Sequence, residues 1–320
     1  MGLIELGIHT EQSREEFLLE KNGVSISLKR DDLIHPQISG NKWRKLKYHL
    51  EEFYKGSYSE ILTFGGAFSN HLTATAALGN LAKIPTSALV RGEEAGDSPS
   101  LKFCSEQGMQ WQGISRKDYS LKEEAGFMDS LRLLKSGLYI IPEGGKGAPA
   151  LKGCAEIVDE LKGNYDYLAL SAGTATTAAG VLANPKAPKI LVYPALKGGA
   201  FLKRAIATYL DEYRTFYALK PFSPALLAEK LELREDYHFG GYAKINDSLV
   251  QFMNMIYAQH QLKLDPVYTS KLLFGLLKDI EGGRFKAGTR ILVLHSGGLQ
   301  GIAGMNRRLA RKSQQLISYE

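Results

Sequence analysis

Short, continuously apolar runs alternate along this chain with stretches of helical spacing, and few folds accommodate that alternation. Ile61-Leu62-Thr63-Phe64, Thr86–Val90, Leu138–Ile141, Tyr167–Ser171, Ile190–Tyr193 and Ile291–His295 read as strands. Continuous apolar runs of this length suit parallel sheets covered on both faces. Val24, Ile26 and Leu28 alternate with polar residues, as in a half-buried strand. Between the strands the period changes. Trp43, Leu46, Leu50 and Phe53 are spaced as on a helix that starts near Lys42 and stops at Gly56. A helix is expected from about Ser69, closing near Lys83-Ile84-Pro85, and another opens at Ser98-Pro99 with a capping serine and first-turn proline. Helices are also expected over Ala148–Lys162 and Thr174–Leu182, and most of residues 200–236 and 246–262 should be helical. The class is α/β with parallel sheets.

Composition narrows the role. The 320 residues are 44% hydrophobic and 23% charged, which rules out a disordered, collagen-like or coiled-coil chain. The net charge of +6 is spread, and its densest clusters, Lys42–Lys47 and Arg307–Lys312, lie in amphipathic stretches. This describes a solvated surface with some attraction for anionic substrates rather than a nucleic-acid face. Met1–Glu5 shows no basic region leading into an apolar run, and no apolar stretch approaches the roughly 18 residues of a membrane span. Cys104 and Cys154 stand apart, so a disulfide scaffold is excluded and a reducing compartment favoured. The seven histidines lack ligand spacing, and no metal is expected. The expected protein is soluble and cytoplasmic, with a small-molecule partner and neither nucleic acid nor membrane.

Three strand ends carry glycine, hydroxyl and amide residues: Gly65–His71, Ser171–Gly180 and His295–Gly298. Ligands of open parallel sheets bind at such ends, where turns meet helix N-termini. Gly173-Thr174-Ala175-Thr176-Thr177 offers small side chains and three hydroxyls but no Gly-Lys-Ser/Thr ending, so a phosphate monoester suits it better than a triphosphate. Gly145–Ala150 matches a dinucleotide fingerprint, against which stand Pro149 and the lack of an acidic residue ending the next strand. Ser39-Gly40-Asn41-Lys42 places a lysine after an expected Asn41 cap, where the positive helix end would lower its pKa and favour a nucleophilic amine. A solvated lysine in a basic turn is the plainer reading of those four residues alone.

Taken together, Lys29–Leu33, Ser39–Leu46, Ser69-Asn70-His71, Ile141-Pro142 with Gly144-Gly145, Gly173–Gly180, Asp265–Lys271 and His295–Gly298 resemble one family. It is that of D-cysteine desulfhydrase and 1-aminocyclopropane-1-carboxylate (ACC) deaminase, fold type II pyridoxal-phosphate enzymes related to the tryptophan synthase β subunit. The resemblance implies two open twisted parallel-sheet domains with the cofactor, pyridoxal 5'-phosphate, in the cleft between them. Residues 1–46 and 161–320 would form the large domain, residues 47–160 a small inserted one, and the protein would be a homodimer.

The resemblance also assigns residues. Lys42 stands at the Schiff-base lysine, Asn70 at the asparagine bonding the cofactor's phenolic oxygen, and Ser69 at a serine over the substrate. The amides of Ser69, Asn70 and His71 would hold the substrate carboxylate. Gly173, Thr174, Ala175, Thr176 and Thr177 match the phosphate loop, and Tyr242 and Tyr268 two active-site tyrosines. ACC deaminases place a glutamate beside the pyridine nitrogen, directly after the second tyrosine, where this chain has Thr269; Ser296 is a second neutral candidate for that place. ACC deaminases also read Ser-Asn-Gln where this chain has His71. Both differences point to β-elimination on D-cysteine or a related D-amino acid. ACC deamination is the alternative, and a non-catalytic binding relative the second alternative. Phe68 for glutamine, Glu143 for an apolar residue and Lys146 for a small polar one depart from the family and bear on the substrate.

Overall fold

Apolar strands covered on both faces and amphipathic helices sort this chain into two sheets. The computed structural model describes residues 6–38, 40–93, 96 and 98–319; Met1–Glu5, read above for a leader, and Ser39 of the lysine motif lie outside the described residues. The strands are β1 (Glu15–Lys21), β2 (Val24–Lys29), β3 (Glu60–Gly66), β4 (Thr86–Arg91), β5 (Gln110–Ile114), β6 (Leu138–Ile141), β7 (Tyr167–Ala172), β8 (Lys189–Pro194), β9 (Leu231–Leu233) and β10 (Arg290–Leu294). The helices are α1 (Asn41–Lys55), α2 (Asn70–Ala82), α3 (Pro99–Glu106), α4 (Arg116–Ser120), α5 (Ala125–Leu134) and α6 (Ala148–Asp159). They continue with α7 (Thr176–Ala183), α8 (Phe201–Phe216), α9 (Pro224–Lys230), α10 (Asp247–His260), α11 (Thr269–Glu281) and α12 (Gly301–Ala310).

One sheet has the order β1-β2-β10-β7-β8-β9, with only β1 antiparallel to its neighbour. The other, β5-β4-β3-β6, is wholly parallel. Each is apolar on both faces, which explains the continuous runs in the sequence. α10 and α11 cover one face of the larger sheet and α6, α7 and α8 the other. α1 and α2 pack with Ile61 and Ile141, while α3 packs with Ala88 and Val90.

Several boundaries differ from expectation for local reasons. Gly65 and Gly66 do not end their strand but remain paired with Val90 and Arg91. The helix expected from Thr174 starts at Thr176, because Ala175 takes a left-handed φ of 62°. Asn41 is not the cap of α1: Gly40 holds that place, and the Asn41 amide donates to Thr177 Oγ1 at 3.2 Å. β1 was not legible because six of its seven positions, Glu15-Glu16-Phe17-Leu18-Leu19-Glu20, repeat no period of two.

The first turn of α1 is tied down by buried charge. The Arg44 guanidinium, fully enclosed, donates to Asp31 at 3.0 and 3.3 Å and to Glu160 Oε2 at 2.7 Å, with a second bond to Glu160 Oε1. Lys29 reaches Glu160 at 2.9 Å, and Ser13 Oγ donates to Asp31 at 2.5 Å. Removing one member of such a cluster strands a charge without water, which costs about 3–5 kcal/mol. Arg44→Met should therefore lower the unfolding free energy by about that amount in urea titration. Adding Asp31→Asn to Arg44→Met should recover part of it, and a single-variant loss below ~1 kcal/mol, the range of exposed pairs, would contradict the assignment.

Candidate active site

Strand ends of both sheets open on one cavity of about 510 Å³. It is lined by the start of α1, the turn from β3 into α2, the turn from β7 into α7, the residues after β10, and Tyr242 and Tyr268. Thus Lys42, Ser69, Asn70, His71, Gly173, Thr174, Ala175, Thr176, Thr177, Tyr242, Tyr268 and Ser296, far apart in sequence, face a single space.

The backbone explains how they meet. Gly40 has φ 62°, and a Cβ there would overlap the Ser296 carbonyl, so only glycine lets α1 begin against the turn after β10. Its amide donates to the Asp31 carbonyl at 2.8 Å, next to the buried ion cluster. Lys42 follows two residues later. Burial, reinforced by the charge of neighbouring Lys45, lowers its amine to about 7. The sequence had assigned this shift to the helix end; burial is the larger cause. Asn41 bonds Thr177, so the lysine's helix is joined directly to the Gly173–Thr177 turn.

At the start of α2, Ser69 is the N-cap, its Oγ accepting from His71 N at 3.3 Å and Leu72 N at 3.4 Å. The Ser69 amide itself donates to Gly66 O at 3.0 Å. Of the three amides expected to face a carboxylate, that of Asn70 alone makes no hydrogen bond among the described residues. Tyr268 and Tyr242 stand edge-on with hydroxyls 3.5 Å apart, and burial raises the Tyr268 phenol well above its ordinary value. A Cβ at Gly173 would sit 3.2 Å from the Tyr268 hydroxyl, so the turn yields room to that ring.

Thr269 is a correction. It does not line the cavity: its hydroxyl donates to Asp265 Oδ1 at 2.7 Å and accepts from the Asp265 amide at 3.0 Å. Asp265 also accepts from the amides of Val267, Tyr268 and Thr269, so its carboxylate and the Thr269 hydroxyl together close the turn into α11. Ser296 is then the candidate of the pair that faces the cavity. Among the departures, Phe68 is an exposed wall residue, Glu143 lines the cavity while paired with Lys122 at 3.3 Å, and Lys146 turns away to Glu123.

Sequence reasoning missed Lys45. It is buried at the cavity wall, donates to Gly144 O at 3.2 Å, and has its own pKa lowered by burial. Its position three residues after Lys42, on the same helix face, was the available signal. Among the described residues of the lining, Lys45 and Arg91 stand with the partly charged Lys42 against the carboxylate of Glu143, which makes the lining cationic. A hydroxyl-rich turn at a helix start, a nucleophilic amine joined to it through Asn41, and an excess of positive charge together fit an aldehyde carrying a phosphate.

Residues 9–297 match the family described as pyridoxal-phosphate dependent enzyme. The chain belongs to that family, and pyridoxal phosphate is its cofactor. It is 28% identical over 301 residues to a Thermotoga maritima protein provisionally assigned as a 1-aminocyclopropane-1-carboxylate deaminase, covering 91% of this chain and 94% of that one. The Arabidopsis thaliana mitochondrial bifunctional D-cysteine desulfhydrase/ACC deaminase is 26% identical over 306 residues, covering 88% of this chain and 74% of that protein. The crystal structure of an ACC deaminase homologue superposes with a TM-score of 0.81 at 24% identity, covering 93% of each chain. The fold is type II of the pyridoxal-phosphate enzymes. Among the described residues no helix is long and apolar enough to cross a membrane.

The shifted lysine has a pH signature. With its amine near 7 rather than 10.5, folded protein binds fewer protons than unfolded chain between those values, so Lys42 adds stability as pH rises through that window. In cofactor-free protein, acetylation of Lys42 followed by mass spectrometry should rise through a midpoint near 7, well below that of exposed lysines. A midpoint near 10.5 would show an ordinary, solvated amine.

Proposed function

We propose that the protein catalyses β-elimination on D-cysteine or a related D-amino acid, releasing pyruvate, ammonia and sulfide. The observation that carries the reading is the neutral wall after β10: Ser296 faces the cavity there, and Glu143, the one carboxylate among the described residues of the lining, is already paired with Lys122. Without a carboxylate to keep the pyridine nitrogen protonated, the favoured reaction is one whose electron pair departs with a good leaving group. The cofactor, when bound, supplies an electron sink conjugated to the substrate Cα.

This chain's residues then divide the work. The Lys42 amine, whose pKa burial lowers to about 7, takes the Cα proton as general base. The Asn70 amide and Ser69 hydroxyl at the start of α2 orient the carboxylate. Tyr268, protonated in its buried setting, and Tyr242, with its hydroxyl 3.5 Å away, position the departing thiolate. The threonines of 174–177 and the cationic wall hold the phosphate. The small domain over this cavity takes its sheet from residues 60–141; of the 47–160 expected for it, α6 packs instead on the larger sheet, and the resemblance supports a homodimer.

A second reading, ACC deamination to α-ketobutyrate and ammonia, is favoured by the names of the relatives. Sulfide from D-cysteine and α-ketobutyrate from ACC, assayed side by side on the holoenzyme, separate the two. The proposal expects the first product to dominate, with turnover lost in Lys42→Ala. α-Ketobutyrate without sulfide would replace it by the second reading, and undiminished turnover in Lys42→Ala would remove the mechanism.

A further inference from the structure

His71 differs between the two substrate types in the family pattern, and its side chain is tied through Nε2 to β3. It is buried in the first turn of α2, with Nε2 2.8 Å from the hydroxyl of Thr63 on β3. That hydroxyl has one proton, and it lies 2.8 Å from the Ile141 carbonyl on β6, which can only accept. The Thr63 proton is therefore committed to Ile141, and Thr63 must accept from His71. The imidazole is thus fixed as the Nε2–H tautomer by its hydrogen-bond network. Its Nδ1 is left as a bare acceptor, buried and without a partner among the described residues. Gly145 permits this: a Cβ there would sit 3.3 Å from Nδ1. Burial, with Lys42, Lys45 and His49 nearby, keeps the ring neutral, as a single N–H requires.

We propose that Thr63 is a positioning residue: through His71 it locks the first turn of α2, which carries Ser69 and Asn70, onto the edge between β3 and β6. The relay runs Ile141 carbonyl, Thr63 hydroxyl, His71 imidazole, α2. It asks of residue 71 only an N–H at the right reach, which a glutamine amide also offers. Histidine and glutamine at this position therefore make the same tie to Thr63. The effect on substrate binding rests on the proposed role of the α2 turn in holding the carboxylate; the tautomer does not.

Thr63→Val keeps the shape and removes the acceptor. Its KM for whichever amino acid the holoenzyme turns over should rise about tenfold with kcat nearly unchanged, the size of one lost buried hydrogen bond felt equally in ground and transition states. Thr63→Ser should restore it. Nitrogen-15 NMR of the parent, with His71 assigned by its loss in His71→Gln, should give a pyrrole-type Nε2 and a pyridine-type Nδ1. A protonated Nδ1, or an unchanged KM in Thr63→Val even with a lowered melting temperature, would overturn the proposal, as would failure of Thr63→Ser to recover. If neither amino acid is turned over, the functional reading fails while the nitrogen shifts still decide the tautomer.

Discussion

The Arg44 guanidinium, enclosed between Asp31 and Glu160, joins three segments of the chain through one set of charged hydrogen bonds. Asp31 follows β2, Glu160 ends α6, and Arg44 sits one turn into α1. Apolar packing is tolerant of small shifts, whereas a buried ion cluster has few satisfactory geometries. The cluster thereby sets where α1 begins, and Lys42 lies in that first turn. Gly40, pressed against the Ser296 carbonyl, leaves the same helix start no room to slide.

From that fixed point the chemistry follows by adjacency. Asn41 reaches the threonine turn, Lys42 the cavity, and Lys45 its wall, so one helix turn contributes the nucleophile, a tie to the phosphate turn and a second cation. Burial disfavours charge on both amines, and for Lys42 the neighbouring charge of Lys45 adds to it. The outcome is a lysine whose neutral form is well populated at neutral pH, inside a wall that still attracts anions. Nucleophilic amine and anionic cofactor are served by the same pair of lysines.

Much of this was legible from the sequence because strand ends announce themselves. Glycine and hydroxyl residues directly after apolar runs marked the turns after β3, β7 and β10, and all three line the cavity. What could not be read was the destination of polar side chains inside the fold. Thr269 looked like a cofactor partner by its place after Tyr268, yet Asp265 four residues earlier takes its hydroxyl. Asp265 followed by Pro266 is itself a helix-start signal that would have suggested this. Asn41 looked like a cap and instead bonds across to Thr177. Arg44, Asp31 and Glu160 carry no local mark at all, since their partnership exists only after distant segments meet. Charge pairing at long range is invisible to periodicity.

The account stands on the identity of one covalent attachment point. Borohydride reduction of the cofactor-loaded protein, followed by digestion and mass spectrometry, fixes the pyridoxyl group to the lysine that held it. The mark belongs on Lys42. A mark on Lys45, its neighbour on the same wall, or on a surface lysine would contradict the reading of the site from its central residue outward.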